Sequence, residues 1–385
     1  MTFPMPEAVA LAMRRLEEKG WRAYLVGGCV RDVCRGVLPH DYDLTTDALP
    51  EQTAACFPDY KVIETGIRHG TVTVLIDGNP IEITTFRVDG TYADHRRPDS
   101  VTFTPSLEED LARRDFTVNA MAWGREGLVD PFGGREDLDR RILACVGEPE
   151  KRFDEDGLRL LRALRFAATL GFSLEPRTAA AVHRMRALLD AISFERKFSE
   201  LTKLLLGDHA ETVLTDFADV VRQMIPEFAD GSESAPRLSD LPPEREVRLA
   251  AFLSPLGAET AGAVLARFKC DTATRRRVTA VLAHGMAPIG SRAERLRLVH
   301  AVGYPAAGDI ALLRGDREAL ADLRRAEQEA APTSVAHLAV RGEDLAAVGV
   351  PRGKTLGDTL EALLLRVIDG DLPNEREALL AAARR

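Results

Sequence analysis

The hydrophobic period of this chain changes once, near Glu150, and that change constrains its fold more than any other feature. Before it, short apolar runs bounded by Gly, Pro and Asp read as strands between brief helices. Beyond it, apolar residues recur at helical spacing almost to the last residue, with breaks only at Gly or Pro. The pattern specifies an α+β fold, a small mixed sheet with helices followed by helices alone. At 385 residues the chain exceeds what one compact core holds, so several domains are expected. Residues 229–247, rich in Pro, Ser and charge, read as a linker or loop among the helices.

Residues 23–47 carry the chemistry of the first part. The apolar run Tyr24-Leu25-Val26 stops at Gly27-Gly28, a helix opens at Cys29–Arg35, and the chain returns to an extended stretch with Asp41 and Asp43. On a strand, residues two apart share a face about 7 Å apart, so the two carboxylates stand together while Tyr42 and Leu44 face the core. Paired carboxylates repel unless a cation lies between them, and hard oxygen ligands favour Mg²⁺, which also binds phosphates. Gly27-Gly28 leaves backbone N–H groups bare near a helix N-terminus, with Arg31 one turn in, a setting that stabilises phosphate. The stretch therefore reads as a metal-and-triphosphate site.

A net charge of −9 counts against a nucleic-acid partner, but its distribution does not. Only 7 of the 51 basic residues are lysine. The arginines cluster at 113–114, at 159, 162 and 165, at 275–277, and at 292, 295 and 297. Arginine forks bind phosphates and base edges in two-pronged fashion, so basic tracks on an acidic body can hold RNA. Lys269, Arg275, Arg276, Arg277 and Lys354 are candidates for its backbone. The 5 cysteines are scattered without a C-x-x-C pair, which points to a reducing compartment and away from zinc or disulfides. No apolar run near 18 residues and no leader is expected, because the N-terminus reads as an amphipathic helix with Val9, Ala12, Met13 and Leu16 on one face. The expected location is cytoplasmic, with no membrane and no protein partner.

Further along, Val72–Ile76 and Ile81–Phe86 read as strands joined by a turn at Asp77-Gly78-Asn79-Pro80. Glu82 on the second strand is either a third metal carboxylate or an exposed side chain. Residues 89–100 are polar with few apolar anchors and read as a mobile loop. Arg113-Arg114-Asp115, with Asn119 behind it, offers donors and acceptors for a phosphate and sugar hydroxyls. A helix is expected over Phe153–Phe166, with Leu158, Leu161 and Leu164 inward and Arg159, Arg162 and Arg165 as a neighbouring stripe.

On that helix Asp156 and Arg159 stand three apart, a carboxylate beside a guanidinium. Cytosine and adenine each present an amine donor next to a ring-nitrogen acceptor, whereas uracil and guanine present a carbonyl next to an N–H. The pair therefore complements C and A and leaves groups unpaired against U and G, at about 1–3 kcal/mol each. The same spacing also serves an ordinary surface ion pair.

Gly27-Gly28-Cys29-Val30-Arg31-Asp32 followed by Asp41-Tyr42-Asp43-Leu44 resembles the signature of the class II CCA-adding enzymes (tRNA nucleotidyltransferases) and their relatives, the bacterial poly(A) polymerases. Arg113-Arg114-Asp115-Phe116-x-x-Asn119-Ala120 and Glu155-Asp156-x-x-Arg159 resemble two further motifs of that family. The resemblance implies Asp41 and Asp43 as catalytic ligands of two Mg²⁺ ions. It places Gly28, Arg31 and Arg114 at phosphates, and Asp115 and Asn119 at the sugar. Glu155, Asp156 and Arg159 would select the nucleotide, with Arg162 and Arg165 at the phosphates or serving the fold. Tyr92, Asp94, Arg96, Arg97 and Pro98 fit a loop that the family links to the switch from C to A addition. Ile192-Ser193-Phe194-Glu195-Arg196 is similar to a segment that closes the neck, which makes Glu195 and Arg196 structural props.

The implied activity is addition of CCA to the tRNA 3′ end from CTP and ATP with release of pyrophosphate. The implied division is a nucleotidyltransferase head at 1–140, a neck at 141–206, a body at 207–330 and a tRNA-binding tail at 331–385. The tail itself carries Arg341-Gly342-Glu343-Asp344-Leu345 and several glycines similar to the family's. Partial CC or A addition is the nearest alternative. A poly(A) polymerase would carry a basic stretch where Glu64–Gly70 stands, and a non-catalytic RNA-binding protein would not need both aspartates.

Overall fold

The computed structural model describes residues 3–63, 66–90, 101–230 and 237–384. The chain forms two compact units, Met1–Pro226 and Glu227–Arg385. In the first, α1 (Glu7–Glu18) buries Val9, Ala12, Met13 and Leu16, the face its spacing dictates. Next come β1 (Ala23–Val26), α2 (Gly28–Cys34), β2 (Asp43–Thr46), α3 (Pro50–Ala55), β3 (Lys61–Ile63), β4 (Thr71–Ile76) and β5 (Asn79–Thr85). After them, β6 (Arg87–Asp89) and β7 (Val101–Phe103) pair with each other and flank residues 91–100. The expected loop at 89–100, with Tyr92, Asp94, Arg96, Arg97 and Pro98, thus lies almost entirely outside the described residues. The head closes with α4 (Leu107–Ala112), β8 (Ala122–Gly124), β9 (Gly127–Val129) and α5 (Gly134–Arg140).

Seven of these strands make one mixed sheet in the order β3-β4-β5-β2-β1-β8-β9. Within it β2 and β5 run parallel, with Asp43 opposite Glu82, and the other described pairs are antiparallel. The β4–β5 turn is tighter than the sequence suggested. Asp77 (φ 50°) and Gly78 (φ 81°) alone make it, and Asn79 and Pro80 already belong to β5. Two consecutive left-handed residues match the twist of the flanking strands, whereas a two-residue turn of type I or II would splay them.

A second correction concerns Asp41 and Tyr42, which precede β2 rather than lie on it. The strand pairs begin at Asp43, opposite Val26 on one side and Glu82 on the other. One step earlier β1 has already left the sheet at Gly27, and Pro80, two residues before Glu82, has no N–H to offer. Tyr42 is accordingly half-buried, its hydroxyl donating to the Pro4 carbonyl at 3.3 Å, while Leu44 is fully in the core.

The strands do not end at Glu150 either: β10 (Ile142–Leu143) pairs in parallel with Ser173–Leu174. Between them stand α6 (Pro149–Glu155) and α7 (Leu158–Leu170), so the single helix expected over 153–166 is two. Asp156 is extended at φ −143° and ψ 106°, and its Oδ1 accepts the Leu158 N–H at 3.0 Å. Aspartate stabilises a helix start better than a helix interior, and Gly157 weakens continuation, so the sequence breaks where those two meet. The segment Ser173–Leu174 is β11, followed by α8 (Pro176–Arg184), α9 (Phe194–Leu205), α10 (Ala210–Asp216) and α11 (Ala218–Met224).

The second unit is helical among its described residues: α12 (Arg245–Leu253), α13 (Gly257–Arg267), α14 (Thr272–His284), α15 (Arg292–Leu313), α16 (Arg317–Gln328), α17 (Gly342–Ala347), α18 (Lys354–Ile368) and α19 (Arg376–Ala383). Contrary to expectation, Arg245–Arg267 holds an 18-residue window of mean hydropathy 1.4. It is not one rod, because Pro255 and Gly257 (φ 70°) separate α12 from α13. Val247, Leu249, Phe252, Val264 and Leu265 pack inward, as in the core of a water-facing bundle. Several clustered arginines form ion pairs within this unit. Arg277 meets Asp309 at 2.6 Å, Arg295 meets Asp322 at 3.1 Å, and Arg297 pairs with Asp369.

Candidate nucleotidyltransferase site

The site begins where β1 ends. Gly27 takes φ 76° and ψ −131°, a conformation that L side chains rarely adopt, and it caps the seven-residue α2. A Cβ there would lie 3.0 Å from Arg114 Nη1, and one at Gly28 would lie 3.6 Å from Arg31 Nη2. The bare turn thus admits two guanidiniums close to the backbone. A helix of two turns has a weak dipole, so these charges dominate the attraction for an anion. Gly27→Ala is expected to lower the thermal midpoint by the equivalent of about 1–3 kcal/mol. It should also raise the KM for nucleotide, because Arg114 must move. Calorimetry and initial rates check the two effects separately.

Asp43 opens to solvent beside Arg114, and Asp41, Asp43 and Glu82 line one cleft of about 490 Å³ with His40 and Asn79. Loss of water raises the Asp43 carboxyl above its ordinary value, with Arg114 pulling it down and the charge of Asp41 pushing it up. A carboxylate destabilised in this way, with a second carboxylate beside it, is a donor set that a hard divalent cation relieves. Among the described residues no group of three or more His, Cys, Asp and Glu side chains comes together that could hold a metal ion, so the carboxylates of Asp41 and Asp43 are the candidate ligands here. Beneath the aspartates Cys29 is buried, and burial pushes its thiol up to about 11.

Arg114 is held by Asp110, whose carboxylate sits 3.7 Å from Arg114 Nη2 and 2.9 Å from Arg113 Nη2. Asp110 is fully buried, accepts from the Arg87 N–H and lies 3.3 Å from the Thr45 hydroxyl. Sequence reasoning missed it, although its spacing of three and four from the arginines on one helix was the available signal. Burial lowers the pKa of Arg114, and its Nε has no hydrogen-bond partner. A buried donor without a partner is costly, so this side chain is poised to accept an anion.

A hydrogen-bonded chain then crosses from the glycine turn to α7. Arg31 Nη1 donates to Asn119 Oδ1 at 2.8 Å, Asn119 Nδ2 donates to Asp115 Oδ1 at 3.1 Å, and Arg162 Nε donates to Asp115 Oδ2 at 2.8 Å. Burial alone would raise the Asp115 carboxyl, but Arg162, Asn119 and Arg159 outweigh it and hold it at about 2. Asp115 and Asn119 are 8% and 6% exposed, so their polar atoms face protein rather than open solvent. Arg165 pairs with the buried Glu200 at 2.8 Å.

The base-reading candidates flank the break between α6 and α7, and each is engaged. Asp156 Oδ2 meets Arg196 Nη2 at 2.8 Å. Arg159 donates to Glu155 Oε2 at 2.5 Å and to the carbonyls of Arg152 and Arg113 at 3.0 Å. Glu155 lines a second cleft, of about 590 Å³, with Arg113, Lys151, Arg152, Glu109 and Asp89, whereas Asp156 and Arg159 turn to the partners just named. The structure therefore gathers Gly28, Arg31, Arg114, Asp115, Asn119, Arg162 and Arg165 into one connected cluster. Glu155, Asp156 and Arg159 form an adjoining one.

Comparison with known proteins agrees with this arrangement. Residues 23–144 match the "Poly A polymerase head domain", 171–231 the "Probable RNA and SrmB- binding site of polymerase A", and 242–383 the tRNA nucleotidyltransferase domain 2. A CCA-adding enzyme of Geobacillus stearothermophilus is 38% identical over 396 residues, covering 99% of this chain and 97% of its own length. One from Bacillus licheniformis is 38% identical over 380 residues and covers 95% of each. The crystal structure of the Bacillus stearothermophilus CCA-adding enzyme in complex with CTP superposes with a TM-score of 0.86 at 36% identity, over 100% of this chain and 97% of that one. With residues 23–144, 171–231 and 242–383 matched in order and relatives alike over almost the full length, the chain belongs to the family of bacterial CCA-adding enzymes, the tRNA nucleotidyltransferases.

Proposed function

We propose that the chain completes the 3′ end of tRNA by adding C, C and A in turn from CTP and ATP, releasing pyrophosphate at each step. The observation that carries this is the meeting at Gly27 of Asp43, Arg114 and Arg31, an acidic donor set beside phosphate-binding charge. Nucleotidyltransferases of this family use divalent metals. Here Asp41 and Asp43 would hold two of them, as Mg²⁺, whereas Glu82 lines the same cleft without joining a three-carboxylate metal group. When bound, such ions supply Lewis-acid neutralisation at the reacting phosphate.

The protein's own part is positioning and selection. Arg114 and Arg31, beside the Gly28 backbone, hold the triphosphate, with Arg162 and Arg165 behind them. Asp115 and Asn119, expected at the sugar, act here through the two arginines that they orient. Asp156 exchanges Arg196 for a base amine, and Arg159 presents its fork to the neighbouring ring nitrogen, with Glu155 fixing its plane. Pairing with C and A then leaves no polar group orphaned, whereas U and G orphan at least one. The division into head (1–140), neck (141–206), body (207–330) and tail (331–385) goes with this function, the last serving tRNA. Five free cysteines, four of them buried, accord with a reducing cytoplasmic setting.

The deciding experiment incubates tRNA lacking its 3′ end with each NTP alone and in pairs. Incorporation of two C residues from CTP, followed by one A only after them, is the expected result. A product stopping at CC, or A added without C, replaces the proposal with partial activity. Incorporation of none, with Mg²⁺ and Mn²⁺ both tried, removes it.

A further inference from the structure

Phe166 lies near the middle of α7, is 8% exposed, and has no polar atom of its own. Three guanidiniums surround its ring, at 3.9 Å from the centroid for Arg165, 5.2 Å for Arg31 and 5.4 Å for Arg162. All three fall within the range over which the negative face of an aromatic ring attracts a cation. Arg31 comes from α2 at the glycine turn, whereas Arg162 and Arg165 come from α7, so one ring touches charges from both sides of the site. The ring is itself held by the fully buried Phe116, edge to face at 82° and 5.8 Å between centroids. Asp32, Asp115 and Glu200 each pair with one of the three arginines, but at separate corners. Phe166 is the element that all three share.

We infer that Phe166 is a positioning residue for the nucleotide triphosphate, its ring holding the guanidiniums of Arg31, Arg162 and Arg165 at one spacing and thereby setting affinity for the phosphates. Three cations brought together repel, and without the ring only three separate carboxylates, each holding one arginine, would fix their spacing. A leucine fills similar volume but has no quadrupole, so it packs without attracting charge. The inference rests on the proposed phosphate role of these arginines. Phe166 makes no contact with the reacting atoms and none with Asp156 or Arg159 is needed.

The test keeps shape constant and changes only the ring's charge distribution. Mono-, di- and trifluorinated phenylalanine, placed at position 166 of the full chain, withdraw electron density from the ring face stepwise at almost unchanged size. KM for both CTP and ATP is expected to rise in step with fluorine number, to roughly tenfold at the trifluoro ring. Meanwhile kcat, KM for tRNA, the preference for CTP over UTP and the thermal midpoint should stay near those of the unmodified enzyme. Phe166→Leu should match the trifluoro end of the series, and Phe166→Tyr should lie near wild type. A KM that is flat across the series overturns the inference. Arg162→Ala is the companion measurement: if it raises KM while the fluorinated series is flat, only the role of Phe166 falls. If both are flat, the phosphate role of the arginines falls with it.

Discussion

Replacing Asp43 by alanine is expected to cut nucleotide incorporation by about a thousandfold or more while leaving the fold as stable as before. Charge neutralisation by a bound cation is worth several kcal/mol at the reacting phosphate, and each 1.36 kcal/mol is about tenfold in rate. The stability side follows from the local structure. Asp43 is exposed, no described side chain donates to its carboxylate, and its strand pairing with Val26 is through the backbone. Its carboxyl titrates above its ordinary value in the folded protein. A carboxyl raised on folding opposes the folded state once pH exceeds that raised value, so at neutral pH its removal relieves strain rather than creating it. Incorporation of radiolabelled CTP into tRNA, with a melting curve on the same preparation, measures both. Near-normal incorporation would remove Asp43 from the metal site, and a collapsed melting curve would make it a structural residue. Asp41→Ala should behave alike.

Asp156→Ala and Arg159→Ala carry the second large effect, which is on choice rather than rate. Each leaves one polar group of C or A unanswered and stops penalising U and G, so discrimination should fall by about ten- to a hundredfold. Transfer itself should survive, because neither side chain neighbours Asp41 or Asp43 in the cleft that holds them. The two variants should differ in stability. Asp156 accepts the Leu158 N–H at the start of α7, a capping bond worth about 1 kcal/mol, and its loss also frees Arg196. Arg159→Ala instead removes two hydrogen bonds to the carbonyls of Arg152 and Arg113 that brace α6 against the end of α4. Relative kcat/KM for CTP, ATP, UTP and GTP in each variant is the measurement. Unchanged selectivity in both would end the base-reading assignment.

Much of this was legible in the sequence because it depends on period and spacing. The small mixed sheet of the head, the Gly27-Gly28 turn before a short helix, the carboxylates at 41 and 43 and the arginine stripe of α7 all follow from residue order alone. What escaped was long-range. Nothing in the string shows that the pairing of β2 begins only at Asp43, opposite Val26 and Glu82, so Asp41 was expected on the strand itself. The helix expected over 153–166 failed for a local reason, since Asp156-Gly157 is a stop-and-start signal inside an otherwise unbroken apolar period. Asp110 and Phe166 were passed over because a buried acid and a core phenylalanine look ordinary until the two guanidiniums around one and the three around the other are seen. Asp115 and Asn119, expected at the sugar, also bond to protein, which only the pairing across 88 residues between Arg31 and Asn119 reveals.

The break at Asp156-Gly157 also bears on how one pocket accommodates two letters of different size. Were the acid and the fork both borne on continuous helix, their separation would be fixed by pitch. Because the acid stands between two helices rather than within one, its distance from Arg159 is set by the torsions of Asp156 and Gly157 and not by helical pitch. On the proposed base-reading role, that junction is where a single-ring pyrimidine and a fused-ring purine would be gripped along the same edge, the protein taking the place of a nucleic-acid template.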